Sequence, residues 1–291
     1  MKGRAVAHGA VSIVNAISTW KGAALGVNLK TEAEVRIQHT RGNTKILFEG
    51  DAAKDSILAE ITVKEVLRRF SEEPFEVTVA TKSEIPAGKG LKSSSTASNA
   101  VALATLSALG KKDIDDLSIV NLGVDASLKA GVTITGAFDD ACASYFGGFV
   151  VTDNKERKLL RKEVAPTNIV ILFYVPEERI YTKDFDKSKI TPFKAEVLKA
   201  FNLALRGEYW KAMTMNGQIH STALGLTLKP AKSALDAGAL ASGLSGTGPA
   251  VAAVCRSDTV RMVKAGWRDL PGTVIETLVN NSVAEGEGSS S

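Results

Sequence analysis

Apolar and polar residues alternate with a period of two along several stretches of the first eighty residues. In residues 31–38, Ala33, Val35 and Ile37 alternate with charged or amide side chains. This spacing puts the apolar residues on one face and is typical of a half-buried strand. On the same reasoning we expect strands over residues 3–8, 22–29, 31–38, 44–49 and 75–80, and an amphipathic helix over 55–70.

Helix signals follow these strands. A helix is expected over 94–109, because serine is a favourable N-cap and Gly110 is a suitable left-handed stop. The next helix is expected to begin at Asp113 or Asp115 and to end at Gly131. A turn-rich segment over 133–140, a short helix and a strand over 148–152 complete the first half of the chain.

The second half has a different order of elements. A charged break near 153–158 is the best candidate for a domain boundary. One strand, then helices, then strand–helix–strand favour an α+β fold with domains over 1–153 and 159–284 and a solvated tail, EGEGSSS, over 285–291. The elements expected are strands over 168–175, 250–255 and 273–278, and helices over 192–206, 208–224, 231–240 and 259–267.

Composition narrows the class of protein. The chain has 291 residues, of which 44% are hydrophobic and 23% charged, an ordinary profile for a soluble protein. The net charge of +4 is small and unclustered, so it favours an anionic small ligand over nucleic acid. Only Cys142 and Cys255 are present, which indicates a reducing compartment, the cytoplasm. No apolar run approaches the ~20 residues of a membrane span.

The most informative stretch is residues 85–100, IPAGKGLKSSSTASNA. Gly88 and Gly90 allow a tight turn, and three serines then open an alanine-rich helix. A helix start beside such a turn binds anions through exposed N–H groups and the helix dipole. A plain strand–turn–helix connection also favours glycine and serine, but three serines and two lysines exceed what a turn needs. We therefore favour a polyphosphate site, although the chain lacks the Walker A spacing.

Two further segments carry candidate chemistry. Residues 136–148, GAFDDACASYFGG, contain Asp139 and Asp140; helix N-capping accounts for one of them, and the other fits a base or an electrostatic anchor near an attacking hydroxyl. Residues 243–254, GLSGTGPAVAAV, are glycine-rich before a strand. A tight turn explains them best when they are taken alone; the alternative is close approach to a ligand or to the first loop. The histidines have no metal-ligand spacing, and we interpret them as core or surface residues.

These segments occur in the order and rough spacing of the motifs of the GHMP kinase superfamily. PAGKGLKSSSTAS resembles the second motif, P-x-x-x-G-L-x-S-S-A-x, and LSGTGPAVAAV resembles the third. Together with GRAVAHGAVSIVNAISTWKGAALGVNL and TGAFDDACASYFGG, they resemble the archaeal-type shikimate kinases of that superfamily. The resemblance implies an N-terminal, ribosomal-protein-like domain with a β-α-β phosphate loop and a C-terminal, ferredoxin-like α/β sandwich.

The resemblance also implies which residues bind ATP and Mg²⁺. Ser94 corresponds to the serine whose hydroxyl reaches Mg²⁺, and Lys92 stands where many members of the superfamily have glycine. No glutamate lies between Lys112 and Gly148 to supply a metal carboxylate, so Asp125 is the nearest replacement by position. The implied nucleotide-binding residues are Pro86, Ala87, Gly88, Lys89, Gly90, Leu91, Lys92, Ser93, Ser94, Ser95 and Thr96, with Gly246, Thr247 and Gly248 from the third motif.

The catalytic aspartate of the related mevalonate and galactose enzymes lies seven residues before a glycine. Asp140 has this spacing to Gly147 and is the expected base or anchor, with Asp139 as the second candidate. The implied reaction transfers a phosphoryl group from ATP to the 3-hydroxyl of shikimate. A cation should face the carboxylate of shikimate, and the candidates are Lys21, Arg4 and Lys183.

The sequence is also compatible with other acceptors and with another class of function. Homoserine, mevalonate and pantoate are alternative acceptors, because acceptor specificity depends on a few side chains that the motifs do not place. A non-catalytic nucleotide or RNA binder is an alternative of another class, and the intact glycine-serine loop and the aspartate pair argue against it. Neither a nucleic acid nor a membrane partner is expected, and the motifs do not choose between a monomer and a homodimer.

Overall fold

The structure, a computed structural model, describes residues 1–51, 56–177 and 186–289. The first half of the chain forms a sheet with helices packed on it. Its strands are β1 (Lys2–Val14), β2 (Lys21–His39), β3 (Lys45–Gly50), β4 (Phe75–Ser83), β5 (Phe149–Asp153) and β6 (Lys158–Glu163). Its helices are α1 (Ser56–Phe70), α2 (Ser93–Ala108), α3 (Asp116–Lys129) and α4 (Phe138–Phe146).

The second half forms a smaller sheet with its own helices. The strands are β7 (Ile169–Pro176), β8 (Ala241–Leu244), β9 (Val251–Arg256) and β10 (Gly272–Leu278). The helices are α5 (Lys194–Leu205), α6 (Tyr209–Leu224), α7 (Lys229–Asp236) and α8 (Val260–Gly266). The chain then returns to the first sheet and adds β11 (Glu285–Ser289).

Strand order explains how the two halves meet. Over the described residues, the first sheet has seven strands in the order β11–β1–β2–β4–β3, with β5 paired to β2 and β6 paired to β5. The second sheet has the order β10–β7–β9–β8. The only parallel neighbours in these described sheets are β3 and β4, which α1 connects. This β-α-β unit leads directly into the glycine-serine loop at the start of α2.

The core has a layer on each side of the first sheet. One layer lies between that sheet and α1 to α4. The other lies between β1, β2 and β5 and the second sheet with α5 and α6. Residues 9–14 of β1 are therefore buried on both faces, and they read as a nearly continuous run of small and apolar side chains rather than as an alternating pattern.

Three strands, β6, β8 and β11, were not predicted, and the reason differs among them. β6, KLLRKE, is half exposed at the sheet edge, so its charged residues resembled a linker. Because β6 pairs with β5, the first sheet extends to Glu163, and the change of sheet falls after the expected boundary at 153–158. β8 has four residues and is short even for a buried strand.

The expected solvated tail at 285–291 is wrong for residues 285–289. They form β11 and pair antiparallel with residues 2–6 of β1. A side chain at Gly288 would lie 2.2 Å from the Ser107 carbonyl oxygen, and one at Gly286 would lie 2.6 Å from Ser107 Oγ. The glycines therefore allow β11 to pass closely over α2, although the strand remains exposed. Residues 290–291 lie outside the described residues.

The described part of the chain contains no helix that is long and apolar enough to cross a membrane.

Close backbone packing of α6 on β8 gives a test of the second half. A Cβ on Gly217 of α6 would lie 2.3 Å from the Cα of Gly243 in β8. We expect Gly217→Ala to lower the free energy of unfolding by about 1–3 kcal/mol, because α6 must move away from the sheet. Alanine is otherwise favoured over glycine inside a helix by about 1 kcal/mol. Denaturant unfolding measures the change.

The matched control is Gly42→Ala, since the nearest atom to a Cβ at Gly42 is 3.9 Å away. Equal stability of the two variants would contradict the packing described here.

Candidate active site

A cavity of about 380 Å³ lies where the glycine-serine loop, the start of α4 and the glycine-rich segment before β9 meet. Most of its lining comes from residues 12–17, 87–97, 131–140 and 246–247. All three segments singled out in the sequence therefore contribute to one cavity, together with the turn that joins β1 to β2.

The N-terminus of α2 opens into this cavity. Ser93, Ser94 and Ser95 line it, and Lys92 is the N-cap residue. Lys92 has φ 69° and ψ 27°, and its side chain makes no capping hydrogen bond with a described residue. The first N–H groups of a helix have no partner within the helix, and the helix dipole adds positive potential there. This end of α2 is therefore suited to an anionic group.

The first and third glycine segments touch each other. Gly90 has φ +80°, and a Cβ there would lie 2.3 Å from the Ser245 carbonyl oxygen. Ser245 Oγ donates a hydrogen bond to the Gly90 carbonyl at 2.8 Å. The Gly246 N–H donates to Ser12 Oγ at 3.0 Å. A Cβ on Gly246 would lie 2.9 Å from Lys92 Nζ and 3.3 Å from the Gly90 carbonyl oxygen. Close approach to the first loop is therefore a reason for glycine at position 246, beyond the tight turn.

A buried ion pair joins α2 to α4 at the cavity. Lys92 Nζ lies 2.9 Å from Asp140 Oδ2, and the two side chains are 8% and 10% exposed. The left-handed backbone of Lys92 costs about 1 kcal/mol for a residue other than glycine. Asp140 Oδ1 is buried and has no hydrogen-bond partner among the described residues. One oxygen of this carboxylate is thus held by Lys92, and the other is left for a ligand.

Asp139 lies beside this pair in a different environment. Its Oδ1 accepts a hydrogen bond from Asn154 Nδ2 at 2.8 Å, and Asn154 is itself fixed by Thr152 Oγ1 at 2.7 Å. A Cβ on Gly22 would lie 2.4 Å from Asp139 Oδ2. Burial raises the pKa of Asp139 to about 7, and the neighbouring charge of Asp140 acts in the same direction. The two adjacent carboxylates therefore lie in different electrostatic environments at the cavity.

The other predicted nucleotide-binding residues divide into two groups. Ala87, Gly88, Gly90 and Thr247 line the cavity, as do Lys92, the three serines and Gly246. Pro86, Lys89, Leu91, Thr96 and Gly248 are not part of the lining among the described residues.

Several of the residues outside the lining hold the glycine-serine loop in place on the side away from the cavity. Lys89 Nζ donates to the carbonyl oxygens of Pro176 and Glu177 at 2.5 and 2.7 Å. Leu91 is 2% exposed in the core. Thr96 Oγ1 donates to the Lys92 carbonyl at 3.0 Å. Lys89 therefore ties the loop to the end of β7, and it does not point its charge into the cavity.

The structure does not bring Asp125 to the cavity. Its Oδ1 lies 2.7 Å from Arg157 Nη2, on a partly exposed part of α3. Among the described residues, no group of three His, Cys, Asp or Glu side chains could hold a metal ion. Mg²⁺ bound to phosphates keeps few protein ligands, and the Ser94 hydroxyl at the cavity fits that need.

Two of the candidate cations for an acceptor carboxylate, Arg4 and Lys21, are not part of the cavity lining either. Arg4 Nε lies 2.7 Å from Glu34 Oε2, and Lys21 pairs with Asp153. Lys183 lies outside the described residues.

Sequence reasoning missed the residues that the β1–β2 turn and α6 contribute. Asn15 lines the cavity, and its Nδ2 donates to the Gly246 carbonyl at 2.9 Å. The Asn15 N–H donates to Asn216 Oδ1 at 3.1 Å. The signal that could have found Asn15 is a single amide within the apolar run AVSIVNAI. Asn216 gives no such signal, because only the tertiary fold brings α6 to the turn.

Comparison with known proteins shows the family of this chain. The family described as GHMP kinases N terminal domain matches residues 58–148, and GHMP kinases C terminal matches residues 211–270. A homoserine kinase structure from Cytophaga hutchinsonii superimposes with a TM-score of 0.75 at 18% identity, over 98% of this chain and 97% of that one. The chain therefore belongs to the GHMP kinase family, which confirms the predicted family and the α+β fold class.

Within this family, the chain is similar to the shikimate kinases of archaea over nearly its full length. It is 45% identical to that of Methanosarcina acetivorans over 99% of this chain and 98% of the relative. It is 47% identical to that of Pyrococcus abyssi, over 95% of this chain and 99% of the relative. These relatives confirm the predicted class of enzyme, an ATP-dependent small-molecule kinase.

The buried carboxyl of Asp139 gives a pH-dependent test. Its pKa is raised from 3.8 to about 7 on folding, so the protonated form stabilises the folded protein. This contribution is complete below about pH 4 and is lost as the pH rises through 7. Asn resembles the protonated form, so Asp139→Asn should gain stability relative to wild type as the pH rises, by at most about 1.4 kcal/mol per unit.

Denaturant unfolding at pH 5, 6, 7 and 8 measures this difference. Asp113→Asn, at an exposed position, is the matched control and should run parallel to wild type. If the free energies of unfolding of Asp139→Asn and wild type changed with pH in the same way, the raised pKa of Asp139 would be contradicted.

Proposed function

We propose that this chain transfers the γ-phosphoryl group of ATP to the 3-hydroxyl of shikimate, giving ADP and shikimate 3-phosphate. The observation that carries the proposal is the Lys92–Asp140 pair, which places a carboxylate in the same cavity as the open N-terminus of α2. The full-length similarity to archaeal shikimate kinases supports shikimate as the acceptor.

The phosphates of ATP fit the first turn of α2. The N–H groups and hydroxyls of Ser93, Ser94 and Ser95 offer donors to the phosphate oxygens. Gly90 lets the loop pack against the Ser245 carbonyl at the edge of the same cavity. Ser94 would hold Mg²⁺ at the phosphates, where the ion would supply positive charge to offset the negative charge of the transferred group. Phosphoryl transfer needs little covalent chemistry from the protein, so holding these groups in place provides much of the acceleration.

Asp140 receives the acceptor hydroxyl. Its unpartnered Oδ1 accepts the hydrogen bond of the hydroxyl and takes its proton as the new O–P bond forms. Lys92 balances the negative charge on the other oxygen, and its ammonium offsets charge on the transferred group. Asp139 lies next to Asp140, and its Oδ1 accepts a hydrogen bond from Asn154. Asp139 therefore contributes to the electrostatics of the site, but this oxygen already has a hydrogen-bond partner, unlike Oδ1 of Asp140.

Acceptor choice is tested by a coupled assay of ADP release. Wild-type protein with Mg-ATP is given shikimate, homoserine, mevalonate or pantoate in parallel. We expect turnover with shikimate and little with the others. Turnover with mevalonate or homoserine but not with shikimate would overturn the acceptor while leaving the class of enzyme in place. Release of ADP at the same rate without any acceptor would contradict the proposed transfer.

The role of Asp140 gives a direct prediction. Asp140→Asn keeps the size of the side chain but removes the base and the charge that balances Lys92. We expect kcat to fall by about 10²- to 10⁴-fold, with the KM for ATP changed much less. Steady-state kinetics with shikimate as acceptor provide the measurement.

Asp125→Asn is the matched control, because Asp125 pairs with Arg157 away from the cavity. It should keep kcat within about 2-fold of wild type, in line with a surface substitution. A large loss in Asp125→Asn with normal turnover in Asp140→Asn would reverse the assignment.

A further inference from the structure

The start of α4, the helix that carries both aspartates, is not fixed by a cap of its own. Its N-cap residue is Ala137, with φ 47° and ψ 45°, and alanine has no side-chain oxygen to close the first turn. α3 differs, because Asp115 accepts a hydrogen bond from the Ser118 N–H at its start. A helix end without a side-chain cap is held in place by the elements that pack on it. The position of the Asp140 carboxylate therefore depends on contacts from outside α4.

Helix α2 supplies such a contact through a buried amide. Asn99 is 0% exposed, and its Nδ2 donates a hydrogen bond to the Ala141 carbonyl oxygen at 2.9 Å. A carbonyl oxygen only accepts, so this bond fixes which end of the amide faces α4. Ala141 directly follows Asp140 and is the fourth residue of α4. The amide therefore holds the backbone of α4 at the residue next to the carboxylate.

Lys92 and Asn99 contact α4 at neighbouring residues. They are seven positions apart, which is close to two helical turns, so both face α4 from the same side of α2. Lys92 Nζ lies 2.9 Å from Asp140 Oδ2, and Asn99 holds the carbonyl of the next residue. The first contact joins two side chains, whereas the second joins a side chain to the backbone. A bond to the backbone restrains the helix itself more directly than a bond between side chains.

The same amide carries a feature that is unfavourable for stability. Its Oδ1 is buried and has no partner among the described residues. An unpaired buried acceptor costs free energy, whereas an apolar side chain of similar size would avoid that cost. A Cβ on Gly123 of α3 would lie 3.0 Å from this oxygen, so α3 also packs closely on the amide. Stability alone therefore does not favour an amide at position 99, and its donor to Ala141 points to the placement of α4.

We propose that Asn99 is a positioning residue for Asp140. Its amide fixes the first turn of α4 against α2, at the separation that brings the Asp140 carboxylate to the Lys92 ammonium and to an acceptor hydroxyl beside the phosphates. Asn99 is not part of the cavity lining among the described residues, so it acts through Asp140 and not on a substrate. The effect on phosphoryl transfer rests on the proposed function, whereas the placement of α4 does not.

The placement is tested by crystal structures of the full-length wild type and of Asn99→Leu, which fills a similar space without a donor. We expect the first turn of α4 to move away from α2, and the separation of Lys92 Nζ from Asp140 Oδ2 to grow by about 0.5 Å or more. Thr105→Val is the matched control, because Thr105 is also fully buried in α2 and its hydroxyl donates to the Val101 carbonyl of the same helix. It should leave α4 in place. An unmoved α4 in Asn99→Leu would overturn the proposal.

Kinetics test the consequence for turnover. Asn99→Leu should lower kcat by about 10- to 100-fold with the KM for ATP within about 3-fold, because a small displacement of the carboxylate acts on the transfer step while the serines of α2 keep their places. Asn99→Ala removes the donor without adding bulk and should show the same division between kcat and KM. Thr105→Val should keep kcat within about 2-fold of wild type. Wild-type kcat in both Asn99 variants would contradict the positioning role.

A double-mutant cycle separates positioning from a general loss of structure. If Asn99 acts through Asp140, adding Asn99→Ala to Asp140→Asn should lower the remaining kcat by less than about 2-fold, because the carboxylate that the amide positions is already gone. Loss of kcat by the same factor in both backgrounds would show that Asn99 does not act through Asp140 and would overturn the proposal.

The two proposals fail in different ways. If wild type phosphorylates another acceptor and not shikimate, the acceptor assignment fails, but the displacement of α4 and the double-mutant cycle still hold with that acceptor. If shikimate turnover is normal and α4 stays in place in Asn99→Leu, only the role of Asn99 fails.

Discussion

The site depends on the ion pair between Lys92 and Asp140. It joins the N-cap of α2 to the first turn of α4, and both side chains are almost fully buried. Breaking a buried pair by removing one partner is strongly destabilising, so the pair constrains where α2 and α4 lie relative to each other. Lys92 reaches Asp140 from a left-handed backbone position, so the pair forms at the cost of local backbone strain at the edge of the cavity.

The C-terminal segment holds α4 in the position that this pair requires. The Gly148 N–H donates to the Asn280 carbonyl at 2.7 Å, and the Asn280 N–H donates to the Gly26 carbonyl at 3.0 Å. The Ala284 N–H donates to the Tyr145 carbonyl at 2.6 Å. The end of α4 is therefore fixed between β2 and a segment from the far end of the chain. Its aspartates are placed by long-range contacts and not by the helix alone.

Much of the fold was predictable because local signals agree with the tertiary structure. Asp115 caps α3 by accepting from the Ser118 N–H, and Gly110 and Gly131 follow α2 and α3 with positive φ. β11 was missed because glycine and glutamate are typical of a solvated segment, whereas here the glycines allow contact with α2. Residues 9–14 of β1 were missed because a strand buried on both faces shows no alternation. β2 was expected as two strands, over 22–29 and 31–38, and is one continuous strand.

The candidate site was predictable in part for similar reasons. The glycine-serine loop and Asp140 follow from motif and spacing, and both line the cavity. Asp125 was chosen by position along the chain alone, and its partner Arg157 became apparent only in the fold. The contribution of Asn15 and its contact with Asn216 come from segments far apart in the chain, which no local pattern encodes.

A crystal structure with shikimate and a non-transferable ATP analogue tests the central claim most directly. The account predicts the terminal phosphate at the first turn of α2, beside the Lys92 ammonium, with the 3-hydroxyl of shikimate within about 2.6–3.2 Å of Asp140. A terminal phosphate bound away from α2, or a 3-hydroxyl out of reach of both Asp140 and Asp139, would contradict it.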